Sequence, residues 1–348
     1  MAAVGDELDA LVRKGQDNQT MGIPIGPDTS FILSELVLSA CDEELTRRFA
    51  ALRGLRYFDD YEFPFHQPAE AESMLASLQA VLLEYELRLN PRKTSVQMPP
   101  IEFESEWVRD TRAFRFRNTA SGQAGDLIGY FDLITQYMRR LPDEHVAKYA
   151  ISRLVDSKFV PLPSNRELYQ SLLCQIATAE PGSIREVLMS LIYIGSNRAV
   201  LDLALISETI TSIILRHAPL GHHYEVAWSI WAAITLGIPL EPAAVAAISK
   251  VDNSVVAILA LDARSQNLAA NLDTTLWEPR MCEAELSEEQ WLLSYEANLH
   301  GWLPTVGGGD HVAADPNFAV LKNAGVHFYE SLVPIAMPVI AWAGYGNP

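Results

Sequence analysis

Residues 55–65 read Leu-Arg-Tyr-Phe-Asp-Asp-Tyr-Glu-Phe-Pro-Phe. Leu55–Phe58 and Tyr61–Phe65 are short runs rich in aromatic, strand-forming residues, with only Asp59 and Asp60 between them. That pattern predicts an antiparallel hairpin reversing on the two acids. A hairpin projects adjacent side chains past its strand ends while the paired backbones hold them still. Two carboxylates placed there suit one hard cation, for which Mg2+ is the natural choice. An Asp-Asp turn standing alone is equally the composition of a plain solvated tip.

Helical patterning surrounds this hairpin. Residues 1–20 read as a short amphipathic helix (Leu8, Leu11, Val12) entering a polar loop. Gly22-Ile-Pro-Ile-Gly-Pro-Asp-Thr-Ser30 then punctuates the chain, and Ile32, Leu33, Leu36, Val37 and Ala40 recur with helical period behind it. Asp28, Thr29 or Ser30 is the expected cap. Downstream, Met74, Leu75, Leu78, Val81, Leu82 and Tyr85 share one face of a helix expected over 69–87. Leu89-Asn-Pro-Arg-Lys-Thr-Ser-Val96 reads as extended, and Met98-Pro-Pro100 as the exit from a first domain.

From about Asp126 helix follows helix. Pro142, Pro181 and Pro219 each open an apolar helical stretch, at steps of 39 and 38 residues (142 to 181 to 219). Proline suits a first helical turn, and the steps lie near the roughly 40-residue period of two-helix solenoids. A degenerate fourth unit begins at Pro239 or Pro242. The expected fold is therefore an α+β N-terminal part (1–100), a connector (101–125), an all-α helical-repeat domain (126–290) and a C-terminal helical segment (291–348), mostly α overall.

Composition narrows the function classes. Hydrophobic residues make up 49% and charged residues 20%, the balance of a folded chain. A net charge of −18 argues against a general nucleic-acid binder, which needs clustered Lys and Arg. The clusters present are Arg88, Arg92 and Lys93, then Arg109, Arg112, Arg115 and Arg117. The second alternates with Phe114 and Phe116, as a half-buried strand with a basic face would. Cys41, Cys174 and Cys282 lack metal-binding or disulfide spacing, so a reduced, cytoplasmic setting is expected. The N-terminus has no signal-like apolar core, Val333–Ala343 is too short to span a bilayer, and no membrane partner is expected.

Three segments in order, Gly22-Ile-Pro-Ile-Gly-Pro-Asp-Thr-Ser30, Arg56-Tyr-Phe-Asp-Asp-Tyr61 and Leu89-Asn-Pro-Arg-Lys-Thr94, resemble the bacterial reverse transcriptases, especially the defence-associated and abortive-infection branches. The resemblance implies the rear of a polymerase palm. Nucleotidyl transfer of this kind uses two divalent ions about 3.5–4 Å apart. By resemblance Asp59 ligates Mg2+ (or Mn2+), Asp60 is a weaker ligand, and Lys93 sits near the leaving pyrophosphate. The loop bearing Gly22, Pro24, Gly26 and Ser30, together with Tyr57, would face template and nucleotide. Glycine there permits close backbone approach. Nucleic acid and dNTPs are the implied partners of the intact enzyme and antiphage defence its implied setting.

The family's first catalytic carboxylate belongs on a strand well before the glycine loop. Asp6, Asp9 and Asp17 sit on the expected helix and loop without strand residues around them, so none replaces it. The fingers are also lacking. Residues 1–348 are expected not to polymerise alone. The rival expectation is a non-catalytic nucleic-acid-binding protein, or a homo-oligomer, assembled on the helical repeats.

Other patterns carry less. His222-His223-Tyr-Glu225 resembles a metal cluster, but adjacent histidines point to different helix faces, so a structural role is expected. Gly307-Gly-Gly309 lacks the context of a phosphate loop. Trp291–Ala297 and His327–Glu330 resemble the chain ends of the same reverse-transcriptase branch and read as core packing.

Overall fold

The computed structural model describes residues 4–16, 18–24, 26–49, 51–196 and 200–331. Asp17 and the stretch Val333–Ala343 lie outside them. The described chain is mostly helical: fifteen α-helices and one two-stranded antiparallel sheet. It divides into two units, Met1–Phe103 and Glu104–Pro348.

The first unit contains α1 (Val4–Lys14), α2 (Asp28–Arg48), β1 (Leu55–Tyr57), β2 (Asp60–Glu62) and α3 (Pro68–Glu84). Helix α3 begins where its sequence dictates. Pro68 occupies the first turn, and Gln67 and Glu70 exchange side-chain-to-backbone hydrogen bonds as a capping box. It ends three residues before the expected 87. Glu86 takes a left-handed conformation (φ 59°) and the Leu87 N–H returns to the Leu82 carbonyl, closing the last turn. The capping expected for α2 also differs. Pro27 is the N-cap and makes no side-chain cap bond, because Asp28 is already the first helical residue.

A small core of Cys41, Leu45, Met74, Leu78, Val81 and Leu82 joins α2 to α3, with Tyr61 and Phe63 of the hairpin region packed against it. The periodic face Ile32, Leu33, Leu36, Val37, Ala40 is not that core face. Ile32 is 58% and Leu36 59% exposed. Apolar period alone does not say which stripe of a helix finds a neighbour, and α2 buries the stripe carrying Cys41 and Leu45 instead.

The second unit runs through α4 (Glu106–Ala113), α5 (Ala120–Arg140), α6 (Val146–Asp156), α7 (Arg166–Ala179), α8 (Ile184–Ser196), α9 (Leu203–His217), α10 (His223–Leu236), α11 (Pro242–Ile248), α12 (Ser254–Ser265), α13 (Trp291–His300), α14 (His311–Ala314) and α15 (Pro316–Asn323). Helices touch their next-but-one neighbours: α5 with α7, α7 with α9 and α9 with α11, while α6, α8, α10 and α12 follow one another in the same way. One continuous apolar core results. Two large polar side chains inside it find backbone partners. The Tyr130 hydroxyl donates to the Ala150 carbonyl (2.9 Å), and Trp277 Nε1–H donates to the Val251 carbonyl (3.0 Å).

Pro142 and Pro219 do not open their helices. They lie in short turns before helix starts at Val146 and His223, and Pro181 begins a single 3-10 turn before Ile184. The helix starts themselves stand 38 and 39 residues apart (146 to 184 to 223). The expected basic strand at 114–117 is also not formed. Phe114 and Phe116 instead turn inward onto Tyr130, with ring centroids 5.0 and 5.4 Å away, and no strand among the described residues pairs with them.

Candidate functional site

The hairpin forms where the sequence put it, with its turn shifted by one residue. Leu55 pairs Glu62, Arg56 pairs Tyr61 and Tyr57 pairs Asp60, so the two-residue turn is Phe58-Asp59, not Asp59-Asp60. Asp59 occupies the tip and Asp60 is a strand residue directly opposite Tyr57. Phe58 takes φ 55°, a left-handed conformation that costs a side-chain-bearing residue about 1–2 kcal/mol.

Neighbouring groups offset that cost. The Phe58 ring meets Phe31 of α2 edge-on at 4.9 Å and Tyr57 at 4.6 Å. Arg56, only 10% exposed, donates to the Phe58 carbonyl (2.6 Å), to both Glu35 oxygens (2.6 and 2.9 Å) and to Asp42 (2.9 Å). Glu35 is held below the usual carboxylate range by its bonds to Arg56. This fork ties the tip to α2, the helix led by the glycine–proline loop. Gly54 is a requirement the sequence reading passed over. A Cβ there would stand 2.3 Å from the Phe63 ring and 2.8 Å from the Glu62 carbonyl, so strand entry needs glycine.

Around the tip the candidate residues separate into groups. Asp59, Asp60 and Tyr57 are all exposed, and neither acid forms an ion pair among the described residues. Gly22 and Gly26 have φ 77° and 122°, and a Cβ on either would meet nothing within 4 Å. The loop therefore needs glycine for its backbone conformation. Gln16 fastens it, donating to the Gly22 carbonyl at 3.0 Å. Pro24 is half-buried and Ser30 buried. Lys93 sits exposed in a turn that closes on itself: its N–H and the Thr94 hydroxyl both donate to the Asn90 carbonyl, and the Arg92 N–H to the Asn90 side chain. The expected extended run from Leu89 is thus interrupted at 91–93. No described hydrogen bond or ion pair joins Lys93 to Asp59 or Asp60.

The arginine row of the second unit is largely spoken for. Arg112 pairs with Glu104, and Arg117 grips Asp126 through side chain and backbone, holding that carboxyl low. Among the described residues, Arg115 donates only to the Arg112 and Phe114 carbonyls. Arg115, Arg117 and Arg153 line a cleft of about 450 Å3 with Phe114, Phe116 and Phe159.

Two groups of His and Glu side chains converge among the described residues, and neither contains Asp59 or Asp60. His217, His222 and Glu225 form the first; their ligand atoms lie within 4.8 Å of one another. His217 and His222 share a 2.8 Å Nδ1···Nδ1 contact, so one ring donates to the other, and burial holds His217 below the ordinary histidine value. Sequence alone gives His222 and His223 a structural role and does not single out His217. The partner of His222 is His217, brought in by the turn between α9 and α10. Glu296, His300 and His327 form the second group. A Glu-x-x-x-His spacing on a helix was its one sequence signal; the third member arrives from beyond α15.

No protein family, no curated protein and no solved structure matches this chain.

Proposed function

We propose that this chain is the rear part of a reverse-transcriptase-like palm, followed by a helical-repeat domain, and that it does not polymerise by itself. One observation carries the reading. The exposed Asp59 turn is fixed to α2, behind the glycine–proline loop, by the Phe31–Phe58 ring contact and the Arg56 fork to Glu35 and Asp42. Two of the three resembling segments are thereby joined in one unit, with two unpaired carboxylates at the junction. The uncovered Ile32 and Leu36 on α2 suit a helix that packs against further palm structure.

Chemically, Asp59 would hold Mg2+ or Mn2+, with Asp60 beside it. An in-line displacement needs both oxygens clamped by two ions, and two exposed acids without a third carboxylate do not assemble that clamp. Nucleotide incorporation, assayed with each dNTP separately and Mg2+ or Mn2+, is the test. Residues 1–348 should incorporate none. A chain lengthened by the in-frame coding sequence upstream of Met1 should incorporate, and Asp59→Ala should abolish it. Incorporation that survives Asp59→Ala overturns the reading. Antiphage defence is the setting that the resemblance suggests.

The alternating helix contacts favour a second reading, a non-catalytic assembly or nucleic-acid-binding protein. Helices α6, α8, α10 and α12 stack as one layer and α5, α7, α9 and α11 as another, the arrangement of a two-helix solenoid. Upstream DNA without a strand bearing Asp would favour it.

A further inference from the structure

Helix α13 reads Trp291-Leu-Leu-Ser-Tyr-Glu-Ala-Asn-Leu-His300. Glu296 and His300 stand four residues apart and so share a face. Glu296 is fully buried, an expensive position for a carboxylate unless its oxygens are satisfied. Only one is. Oε1 accepts the backbone N–H groups of Phe328 (2.5 Å) and Tyr329 (3.3 Å), which docks the segment after α15 onto α13. That docking is reinforced by the Tyr295 hydroxyl on the Val326 carbonyl (2.7 Å) and the Tyr329 hydroxyl on buried Asp262 (2.6 Å).

The other oxygen, Oε2, has no hydrogen bond, and neither has Nε2 of His300, although both atoms are shut off from solvent. They lie 3.4 Å apart. His327, exposed on the docked segment, brings a third ligand atom within 4.8 Å of both. Trp302 stacks on the His300 ring at 4.1 Å and fixes its plane. Two buried lone-pair atoms left unbonded beside each other, with an imidazole at the solvent side, are what a bound cation would explain. Donors about 2.0–2.1 Å from one tetrahedral ion stand about 3.3–3.4 Å apart, the separation seen here.

We propose that Glu296, His300 and His327 hold a single Zn2+ ion. Two imidazoles and one carboxylate suit this borderline-soft ion better than Mg2+, which prefers oxygen alone. The ion would fasten the 326–331 segment to α13, with its fourth position open to water on the His327 side. The His217–His222–Glu225 group leaves a single buried atom, His217 Nε2, without a hydrogen bond, and its two Nδ1 atoms already bond each other.

Co2+ titration of the full chain carrying His222→Ala, which disables that rival group, tests the proposal. One equivalent should give the intense visible bands of four-coordinate Co2+, displaced by Zn2+. Adding His327→Ala, an exposed position whose loss leaves the core intact, should weaken Zn2+ binding by more than the roughly 10–100-fold that losing an outer-shell partner costs. Glu296→Gln keeps an acceptor for the Phe328 and Tyr329 N–H groups and should also abolish the bands. Absence of a four-coordinate spectrum, or a spectrum indifferent to His327→Ala, overturns the proposal.

Discussion

The two units bury apolar surface in opposite ways. The first gathers six buried side chains between two helices and leaves Phe31, Ile32, Leu36, Tyr57 and Phe58 exposed. Its hairpin is secured less by burial than by one arginine fork. The second threads a continuous core through almost every helix, and even its tyrosines and Trp277 are hydrogen-bonded inside. Burial scales with the number of packed faces, so a two-helix layer with a hairpin of three-residue strands has little to spare, whereas a doubly stacked helical array has much. The contrast also separates roles. The exposed unit displays free acids; in the packed unit histidines and carboxylates converge.

This contrast can be broken by substitution. The largest effect should come from Trp277→Ala, which empties a fully buried site and orphans the Val251 carbonyl. A loss of about 3–5 kcal/mol is expected, read in denaturant melts as a destabilised second unit with the hairpin's amide exchange unchanged. A single transition that carries both units down together would refute separate unfolding of the two units. Next is Arg56→Ala, which removes the fork to Glu35 and Asp42 and the bond to the Phe58 carbonyl. About 1–3 kcal/mol should vanish from the first unit, with exchange of residues 55–62 accelerated and the second unit unaffected.

The smallest effect is with pH. Burial lowers both His217 and His311 below the histidine reference of 6.5. A depressed folded value means that the unfolded chain binds the proton more tightly. The stability from keeping these rings neutral is therefore complete above about 6.5 and is lost as pH falls through their folded values. The second unit should lose melting temperature on acidification below 6.5, and His311→Gln should flatten the slope. Charged groups facing His311 include Asp310, Lys322 and Glu283, while its Nε2 bonds Ser294 at 2.9 Å. A slope unchanged in that variant would exclude His311 as a source.

Some of this was readable from residue order. Aromatic runs around Asp59 and Asp60 located the hairpin, because strand preference and turn polarity are local properties. The change to continuous helix in the second half was equally local. The turn register was not, since it rests on Phe31 and Arg56 reaching the tip from outside it. Nor was the face α2 would bury, nor the fate of 114–117, where Tyr130 and Phe159 drew the phenylalanines inward without a partner strand.

The candidate sites divide along the same line. Residue order alone fixed that a hairpin reverses beside Asp59 and Asp60 and which glycines bend the loop before α2, because both follow from short-range backbone preference; it did not fix that Asp59 alone stands in the turn. Only the tertiary structure decided that His217 meets His222, and that His327 returns to Glu296 and His300. Those meetings depend on chain reversals spanning turns and whole helices, and no local pattern encodes the distance between atoms that far apart in sequence.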